Sequence, residues 1–182
     1  MVLNFKNPIR RFIRGIVLKW RLEVRYIIEK KIFPKIKNKK VLLVGVEYYT
    51  ENYPKLLKTN DLYTLDINPS VARFGAKHHI VGDISDVDKF FPKESFDTIL
   101  LLGIFGYGLN DVQGAEKTLE NCSKVLKKKG LLILNWSDIV DKNPIKPRSL
   151  KNFSLFSPVS FNGYPSAYRT RQNHIFEFLI KK

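Results

Sequence analysis

Two aspartates each follow a short apolar run of the sequence. Asp66 ends the run LYTLD, about twenty residues beyond Gly45, the glycine that ends VLLVG. A carboxylate at that spacing and at a strand end can accept both hydrogen bonds of a ribose diol. Asp83 follows a third run and could accept from an adenine amino group, with Ile67 and Ile84 as apolar faces for the ring. A helix cap or a turn is the structural alternative for either carboxylate.

The elements that must position these side chains alternate along the chain. Predicted strands cover residues 41–45, 62–66, 79–82, 96–102 and 131–136, and predicted helices cover residues 50–58, 69–77 and 112–126. Apolar strands that alternate with helices are typical of a parallel sheet covered on both faces. Two closing runs, residues 168–171 and 174–180, indicate an antiparallel hairpin. We therefore predict a doubly wound, mostly parallel α/β sheet with a C-terminal antiparallel edge.

In such sheets ligands bind outside the carboxyl ends of the strands, beside the first strand. This rule predicts that the loop at residues 45–49, which follows the first apolar run, contacts a ligand. We therefore expect a ligand site where this loop, Asp66 and Asp83 come together.

The first 40 residues differ from the rest in charge. They carry 13 Lys or Arg against Glu23 and Glu29, a net charge of +11, whereas the other 142 residues carry 19 against 15. Apolar residues recur at helical spacing over residues 7–32, and Pro34 should end that helix. We predict a basic amphipathic helical extension over residues 1–40 and an α/β domain over residues 41–182. The helix either lies on an anionic membrane surface or packs over the domain.

Composition limits the class of protein. Cys122 is the only cysteine, which excludes a disulfide framework and a cysteine-rich zinc site, and the three histidines form no ligand cluster. We expect no metal.

The apolar runs are shorter than the roughly 20 residues of a membrane-spanning helix, and basic residues interrupt any secretory signal. We expect a cytoplasmic protein, peripheral at a membrane if the helix binds one. Nucleic-acid binding rests on the net charge of +15 alone and is not favoured.

The order of the motifs resembles that of the class I S-adenosylmethionine-dependent methyltransferases, from about residue 40 to the end of the chain. VLLVG is similar to the first motif of the family, LYTLDINP to the second and VGDI to the third. FDTILLLGIFGYG, which contains Gly103, is similar to the fourth, and LENCSKVLKKKGLLILNW to the helix and strand that follow. The resemblance implies S-adenosylmethionine as cofactor, with Asp66 on the ribose and Asp83 near the adenine. It also implies cofactor contacts at Gly45 and Gly103.

The first motif departs from the family pattern. The places that usually hold an acidic residue and two further glycines hold Leu43, Glu47 and Tyr49, and only Gly45 remains. Because the cofactor ends in a cationic amino acid, the carboxylate of Glu47 or Glu51 could attract its ammonium and sulfonium charges. Three hypotheses stay open: an active methyltransferase, a catalytically silent domain that keeps the fold for partner binding and, less favoured, a nucleic-acid-binding protein. A nicotinamide enzyme fits less well, because GVEYYT lacks the glycines of a pyrophosphate loop.

The acceptor side of the expected site is the least determined part. Methyl transfer from a sulfonium is an in-line displacement, so the protein mainly holds donor and acceptor aligned in a dry pocket. For a hydroxyl acceptor, Asp111 is the best-placed general base, although an N-cap for a helix at Val112 is its alternative role. Tyr107 and Asn110 are expected to line the acceptor pocket. We predict a small-molecule or carrier-linked acceptor, because LLLGIFGYG lacks the Asp/Asn-Pro-Pro-Tyr pattern of amino-directed nucleic-acid methylases.

Overall fold

The computed structural model describes residues 23–139, 141 and 143–182. Its helices are α1 (Glu23–Ile27), α2 (Tyr53–Leu56), α3 (Val87–Phe90) and α4 (Val112–Val125). Its strands are β1 (Lys40–Val44), β2 (Asp61–Asp66), β3 (His78–Val81), β4 (Phe96–Leu102), β5 (Leu126–Ser137), β6 (Phe156–Pro158), β7 (Ala167–Arg169) and β8 (His174–Lys181).

All eight strands belong to one mixed sheet. The strand order is β3-β2-β1-β4-β5-β8-β6, and β7 also pairs with β8. Strands β1 to β5 are parallel to one another, while β8 is antiparallel to β5, β6 and β7. The prediction of a mostly parallel, doubly wound sheet with an antiparallel edge is confirmed. We refer to the side where β1 to β5 end as the carboxyl edge.

The two faces of the sheet are both buried, as the continuous apolar strands predict. Along β1, Leu42 and Val44 pack into one hydrophobic cluster and Val41 and Leu43 into another. This separation follows from the alternation of side chains along a strand. The first cluster contains the apolar face of α4, including Cys122. Complete burial raises the pKa of the Cys122 thiol to about 12, so this side chain behaves as a small core residue and not as a nucleophile.

Several predicted helices are shorter in the structure. The region predicted as one helix over residues 50–58 begins at the end of a 3-10 turn, Tyr48–Thr50, and contains the single α-helical turn α2. Pro54 lies in the first turn of α2, where a proline is tolerated. The region predicted as a helix over residues 69–77 is 3-10 helical over Pro69–Phe74. Strand β5 begins at Leu126, directly after α4, and its pairing with β4 has a register shift before Leu131.

The N-terminal extension is described from Glu23 onward. Helix α1 continues as a π-helical turn, Ile28–Ile32, and a 3-10 turn, Phe33–Lys35, so the helical segment ends one residue after Pro34. Its apolar side chains are buried in the second cluster, together with β1, β4 and β8: Ile27, Ile28, Ile32, Phe33 and Ile36. Residues 23–36 therefore share a core with the α/β domain. The first part of the helix predicted over residues 7–32, up to residue 22, lies outside the described residues.

Among the described residues, no helix is both long enough and apolar enough to cross a membrane. The same part of the chain contains no group of three or more His, Cys, Asp or Glu side chains that could hold a metal ion.

Candidate functional site

A cavity of about 450 Å³ opens at the carboxyl edge, beside the ends of β1, β2 and β4. The eight residues predicted for cofactor binding or catalysis all line it: Gly45, Glu47, Asp66, Ile67, Asp83, Ile84, Gly103 and Asp111. Tyr107, predicted for the acceptor pocket, also lines the cavity, whereas Asn110 and Glu51 are not among its lining residues. Parallel strands bring their carboxyl ends to one edge, so residues far apart in sequence meet there.

Asp66 lies at the end of β2 and holds the first loop in place. Its Oδ2 accepts a hydrogen bond from the Val46 backbone N–H at 2.8 Å, and its Oδ1 accepts from the Asn68 N–H at 2.8 Å. Each carboxylate oxygen has two lone pairs, so both oxygens can accept a further hydrogen bond. The half-buried carboxylate can therefore stabilise the loop and still bind a ribose diol.

The loop after β1 contains the one remaining glycine of the first motif. Gly45 has a φ of +84°, and a Cβ added there would lie 3.3 Å from Ile104 Cγ2. A residue with a side chain would be strained in this conformation and crowded against Ile104. The glycine therefore keeps its usual role of allowing a tight turn at the floor of the cavity.

The rest of that loop is held by side chains instead of glycines. Glu47 Oε1 accepts from the Tyr48 N–H at 2.9 Å, and Thr50 Oγ1 accepts from the Glu47 N–H at 2.9 Å. Glu47 and Thr50 form a capping box around the 3-10 turn, in which the side chain of each residue accepts from the backbone N–H of the other. Thr50 Oγ1 also donates to the Glu47 carbonyl oxygen at 2.9 Å. Nothing in the spacing of GVEYYT indicated Thr50, because a Thr three residues after a Glu reverses the usual order of a capping box.

Asp83 follows β3 and caps a short helical turn. Its Oδ1 accepts from the Ser85 N–H at 2.8 Å, which is the structural alternative considered for this residue. The carboxylate is exposed at the cavity. Ile84 is buried in the core, whereas Ile67 is 65% exposed. The two apolar faces predicted for an adenine ring thus differ, one belonging to the core and the other open to the cavity.

A second loop, after β4, forms another wall of the cavity. Gly103 has a φ of +79°, and its N–H donates to the Asn135 carbonyl oxygen at 2.9 Å. A Cβ at Gly103 would meet no heavy atom within 4 Å, so backbone is presented directly to open space. At the end of this loop, Asp111 Oδ1 accepts from the Gly114 N–H at 2.7 Å and caps α4. The N-cap role of Asp111 is therefore present, and Asp111 also lines the cavity.

Three tyrosines project around the cavity. Tyr48, Tyr49 and Tyr107 are 66%, 53% and 65% exposed, and the rings of Tyr48 and Tyr49 pack edge to face at 5.2 Å. Partial burial, followed by the charges of Glu47 and the other two tyrosines, raises the pKa of Tyr49. Its phenol therefore stays protonated and can donate a hydrogen bond at neutral pH. Tyr49 was recognised from the sequence only as a replaced glycine, and two consecutive tyrosines after a strand were the available signal for an aromatic wall.

The cavity has the opposite charge to the chain as a whole. Its lining contains the carboxylates of Glu47, Asp66, Asp83 and Asp111, and none of the described lining residues is Lys, Arg or His. The chain has a net charge of +15. Such a lining suits a ligand with hydroxyl and amino donors and a positive charge. S-adenosylmethionine has a ribose diol, an adenine amino group, an ammonium and a sulfonium, so the residues present fit this cofactor.

Comparisons with known proteins show the family and the fold. Residues 43–134, just over half of the chain, match the family described as Methyltransferase domain. No curated protein matches the sequence. A TehB-like SAM-dependent methyltransferase from Corynebacterium glutamicum is similar in structure, with a TM-score of 0.63, 18% identity, and coverage of 97% of this chain and 100% of that chain.

A second similar structure is the N-methyltransferase NodS from Bradyrhizobium japonicum. It has a TM-score of 0.60 and 15% identity, and the match covers 97% of this chain and 98% of that chain. NodS in complex with S-adenosyl-L-homocysteine has a TM-score of 0.57 at 15% identity, with coverage of 97% of this chain and 89% of that chain. At these identities the structural likeness concerns the fold, and the family rests on the sequence match. The chain belongs to the methyltransferase domain family, within the class I S-adenosylmethionine-dependent methyltransferases.

Proposed function

We propose that the protein is an S-adenosylmethionine-dependent methyltransferase that acts on a small-molecule or carrier-linked acceptor. The proposal rests on one observation: all eight predicted site residues line one acidic cavity at the carboxyl edge. When bound, S-adenosylmethionine supplies a methyl group on an electrophilic sulfonium. We place the reaction in the cytoplasm, in keeping with a single cysteine that is a free, buried thiol.

The adenosine part of the cofactor is assigned to residues from β2 and β3. Asp66 accepts hydrogen bonds from the ribose hydroxyls with the lone pairs that the Val46 and Asn68 N–H groups leave free. Asp83 accepts from the adenine amino group, and Ile67 and Ile84 contact the ring. Gly45 and Gly103 let backbone approach the ligand.

Glu47 is assigned to the cationic end of the cofactor. Its Oε1 is bound to the Tyr48 N–H, but the carboxylate keeps its negative charge and remains at the cavity. A charge at this position would offset the backbone contacts that two missing glycines would otherwise make. Support for this assignment comes from the rigid capping box, which orders the carboxylate without a glycine-rich turn.

The acceptor is assigned to the wall formed by the loop after β4. Tyr107 supplies an exposed ring and hydroxyl there, and Asp111 a carboxylate. One oxygen of Asp111 caps α4 at Gly114. If the acceptor is a hydroxyl, Asp111 is the group that takes its proton.

Calorimetric titration with S-adenosyl-L-homocysteine tests the proposal. We expect binding by the wild-type protein and an affinity reduced by about 10-fold to 100-fold in Asp66→Ala, because charge-assisted hydrogen bonds contribute roughly 1.5–3 kcal/mol. Asp61→Ala is the matched control, because Asp61 is an exposed carboxylate at the other end of the same strand. Unfolding in urea should be recorded for both variants, since Asp66 also holds Val46.

Two outcomes would contradict the proposal. No heat and no thermal stabilisation of the wild-type protein at millimolar ligand would reject cofactor binding and favour the silent-domain hypothesis. Wild-type affinity in a folded Asp66→Ala variant would reject the ribose assignment alone.

A further inference from the structure

The positive charge of the α/β domain is concentrated at the end of the sheet opposite the cavity. We define the amino edge as the five segments where β1, β2, β4 and β5 begin and β8 ends: residues 36–40, 58–61, 93–97, 126–130 and 181–182. These segments contain ten Lys, no Arg and three Asp or Glu, a net charge of +7. Residues 23–182 as a whole carry 26 Lys or Arg against 17 Asp or Glu, a net charge of +9. The amino edge therefore holds most of the excess charge of the domain.

Hydrogen bonds join the first two segments of the amino edge. Asn60 Nδ2 donates to the Ile36 carbonyl oxygen at 2.9 Å, and the Lys39 N–H donates to Asn60 Oδ1 at 3.0 Å. The Asn38 N–H also donates to the Thr59 carbonyl oxygen at 3.2 Å. The two segments, which are distant in sequence, therefore form one surface.

Asp97 and Lys181 connect the other segments to this surface. Asp97 Oδ2 accepts from the Lys40 N–H at 2.8 Å, and its Oδ1 accepts from Lys127 Nζ at 2.8 Å. Lys181 Nζ donates to the Leu126 carbonyl oxygen at 2.7 Å. The tertiary structure therefore brings the lysines of all five segments together.

Most of these lysines are available to a partner. Eight of the ten are exposed, and Lys127 pairs with Asp97. The other seven exposed lysines form no ion pair with a side chain in the described part of the chain: Lys37, Lys39, Lys58, Lys93, Lys128, Lys129 and Lys182.

The composition of the amino edge favours one kind of partner. Protein interfaces are enriched in Arg and aromatic residues and depleted in Lys, and single-stranded nucleic acids stack on aromatic side chains. The amino edge contains no Arg, and none of its residues is among the exposed large apolar side chains of the described chain. Lysines spread over several loops match the diffuse negative charge of a layer of anionic lipid head groups.

The amino edge and the cavity lie at opposite ends of the strands. Strand β4 has seven residues, so the two ends are separated by about 23 Å at about 3.3 Å per residue. The cavity lining contains four carboxylates, and none of its described residues is Lys, Arg or His. An anionic surface therefore attracts the amino edge and repels the cavity, so the charge distribution alone orients the domain.

We propose that the amino edge binds the surface of a membrane that contains anionic lipids, with the cavity facing away from the bilayer. Attraction between the exposed lysines and the lipid head groups stabilises this arrangement, and added salt weakens it by screening. The arrangement does not depend on the proposed methyl transfer, because the amino edge and the cavity lining share no residue.

Vesicle flotation with charge-reversed variants of the full chain tests the proposal. The edge variant reverses three exposed lysines of different segments: Lys37→Glu, Lys93→Glu and Lys128→Glu. The control variant makes the same change in net charge at three exposed lysines outside the amino edge: Lys30→Glu, Lys55→Glu and Lys151→Glu. We expect the edge variant to bind vesicles of phosphatidylcholine and phosphatidylserine at least about tenfold more weakly than the control variant. Residues 1–22 are identical in both variants, so their own affinity for the vesicles cancels in this comparison.

A fluorescence measurement leaves every lysine in place. Cys122 is the only cysteine and is buried, so a cysteine introduced elsewhere can be labelled selectively with an environment-sensitive dye. Thr59 is exposed on the amino edge, and Asn110 is exposed in the loop after β4 at the carboxyl edge. With anionic vesicles, we expect the emission of the dye to shift to shorter wavelength in Thr59→Cys and to stay unchanged in Asn110→Cys.

Three results would overturn the proposal. They are equal binding by the edge and control variants, equal binding of the wild-type protein to anionic and to pure phosphatidylcholine vesicles, and a dye shift at position 110 as large as that at position 59. Binding of a duplex RNA that depends on the edge lysines, without binding to anionic vesicles, would assign the amino edge to nucleic acid and would also overturn it.

Two controls separate these results from other causes. Urea unfolding of the edge and control variants checks that both are folded, and the dye measurement stands even if one of them is not. The affinity for S-adenosyl-L-homocysteine should be the same in the edge variant and the wild-type protein, so loss of vesicle binding is distinguishable from failure of the proposed cofactor site.

Discussion

The two loops that line the cavity at the carboxyl edge obtain their shapes in opposite ways. The loop after β1 has one glycine, Gly45, and is held by the capping box of Glu47 and Thr50 and by the bond from Val46 to Asp66. The loop after β4 has three glycines with positive φ, at positions 103, 106 and 108. Side-chain hydrogen bonds can therefore replace glycines in ordering a tight loop. A shortage of glycines in the first motif therefore does not close the site.

Substitution of the glycine at the start of each loop should have the largest effect on the free energy of unfolding. Gly45→Ala and Gly103→Ala should both lower the free energy of unfolding by about 1–2 kcal/mol, because each residue has a positive φ. Gly45→Ala should lower the free energy of unfolding more than Gly103→Ala. A Cβ at Gly45 would lie 3.3 Å from Ile104 Cγ2, whereas a Cβ at Gly103 would meet no heavy atom within 4 Å. Urea unfolding measures both values.

Gly163→Ala is the control for the glycine pair. Gly163 has a φ of +81° and no heavy atom within 4 Å of a Cβ, and it is not a cavity residue. Gly103→Ala should match it in stability. If Gly45→Ala lowers the free energy of unfolding no more than Gly163→Ala, the close approach to Ile104 does not affect stability.

Removal of a side-chain cap should have an intermediate effect on the free energy of unfolding. Thr50→Val should lower the free energy of unfolding by about 1 kcal/mol, because it leaves the Glu47 N–H without its acceptor, and Asp111→Ala should cost a similar amount at α4. Only Thr50→Val removes a contact that orders the first loop, so it should also weaken S-adenosyl-L-homocysteine binding. The exposed Thr59→Val is the control. Unchanged stability in Thr50→Val would show that the capping box does not hold the loop.

Removal of the charge of Glu47 should have the smallest effect, and this effect is on cofactor affinity. Glu47→Gln keeps an oxygen for the Tyr48 N–H but removes the negative charge, so we expect cofactor affinity to fall by up to about fivefold, equivalent to less than about 1 kcal/mol. The loss should be larger for S-adenosylmethionine than for S-adenosyl-L-homocysteine, because the latter lacks the sulfonium charge. Glu51→Gln is the matched control, since Glu51 is exposed outside the cavity lining. Equal affinity in Glu47→Gln and wild type would reject electrostatic compensation.

Strands β1, β4 and β5 were predictable because each contains four consecutive apolar residues. Strand β6 was not predicted, since three residues are too few to show a pattern, and its position depends on pairing with β8. The regions around Tyr53 and Pro69 were predicted as helices from their spacing, but form one α-helical turn and a 3-10 helix. Short segments of this kind depend on tertiary packing more than on propensity.

The lining of the cavity was predictable where a residue type coincided with a strand end. Asp66 and Asp83 follow from that rule, and so does the position of Gly45. The bond from Val46 to Asp66 joins residues that are distant in sequence, and the exposure of Tyr49 and Tyr107 depends on how two separate loops pack. Neither feature leaves a periodic signal in the sequence.

By itself, the sequence determined the mostly parallel sheet, its antiparallel edge and the residues at its carboxyl edge, because apolar periodicity and strand-end chemistry are local properties. Only the tertiary structure decided how the first loop is held without its glycines, since that depends on hydrogen bonds among Asp66, Glu47 and Thr50. It also decided that residues 23–36 belong to the domain core, because burial of a helix face requires the opposing surface of β1, β4 and β8.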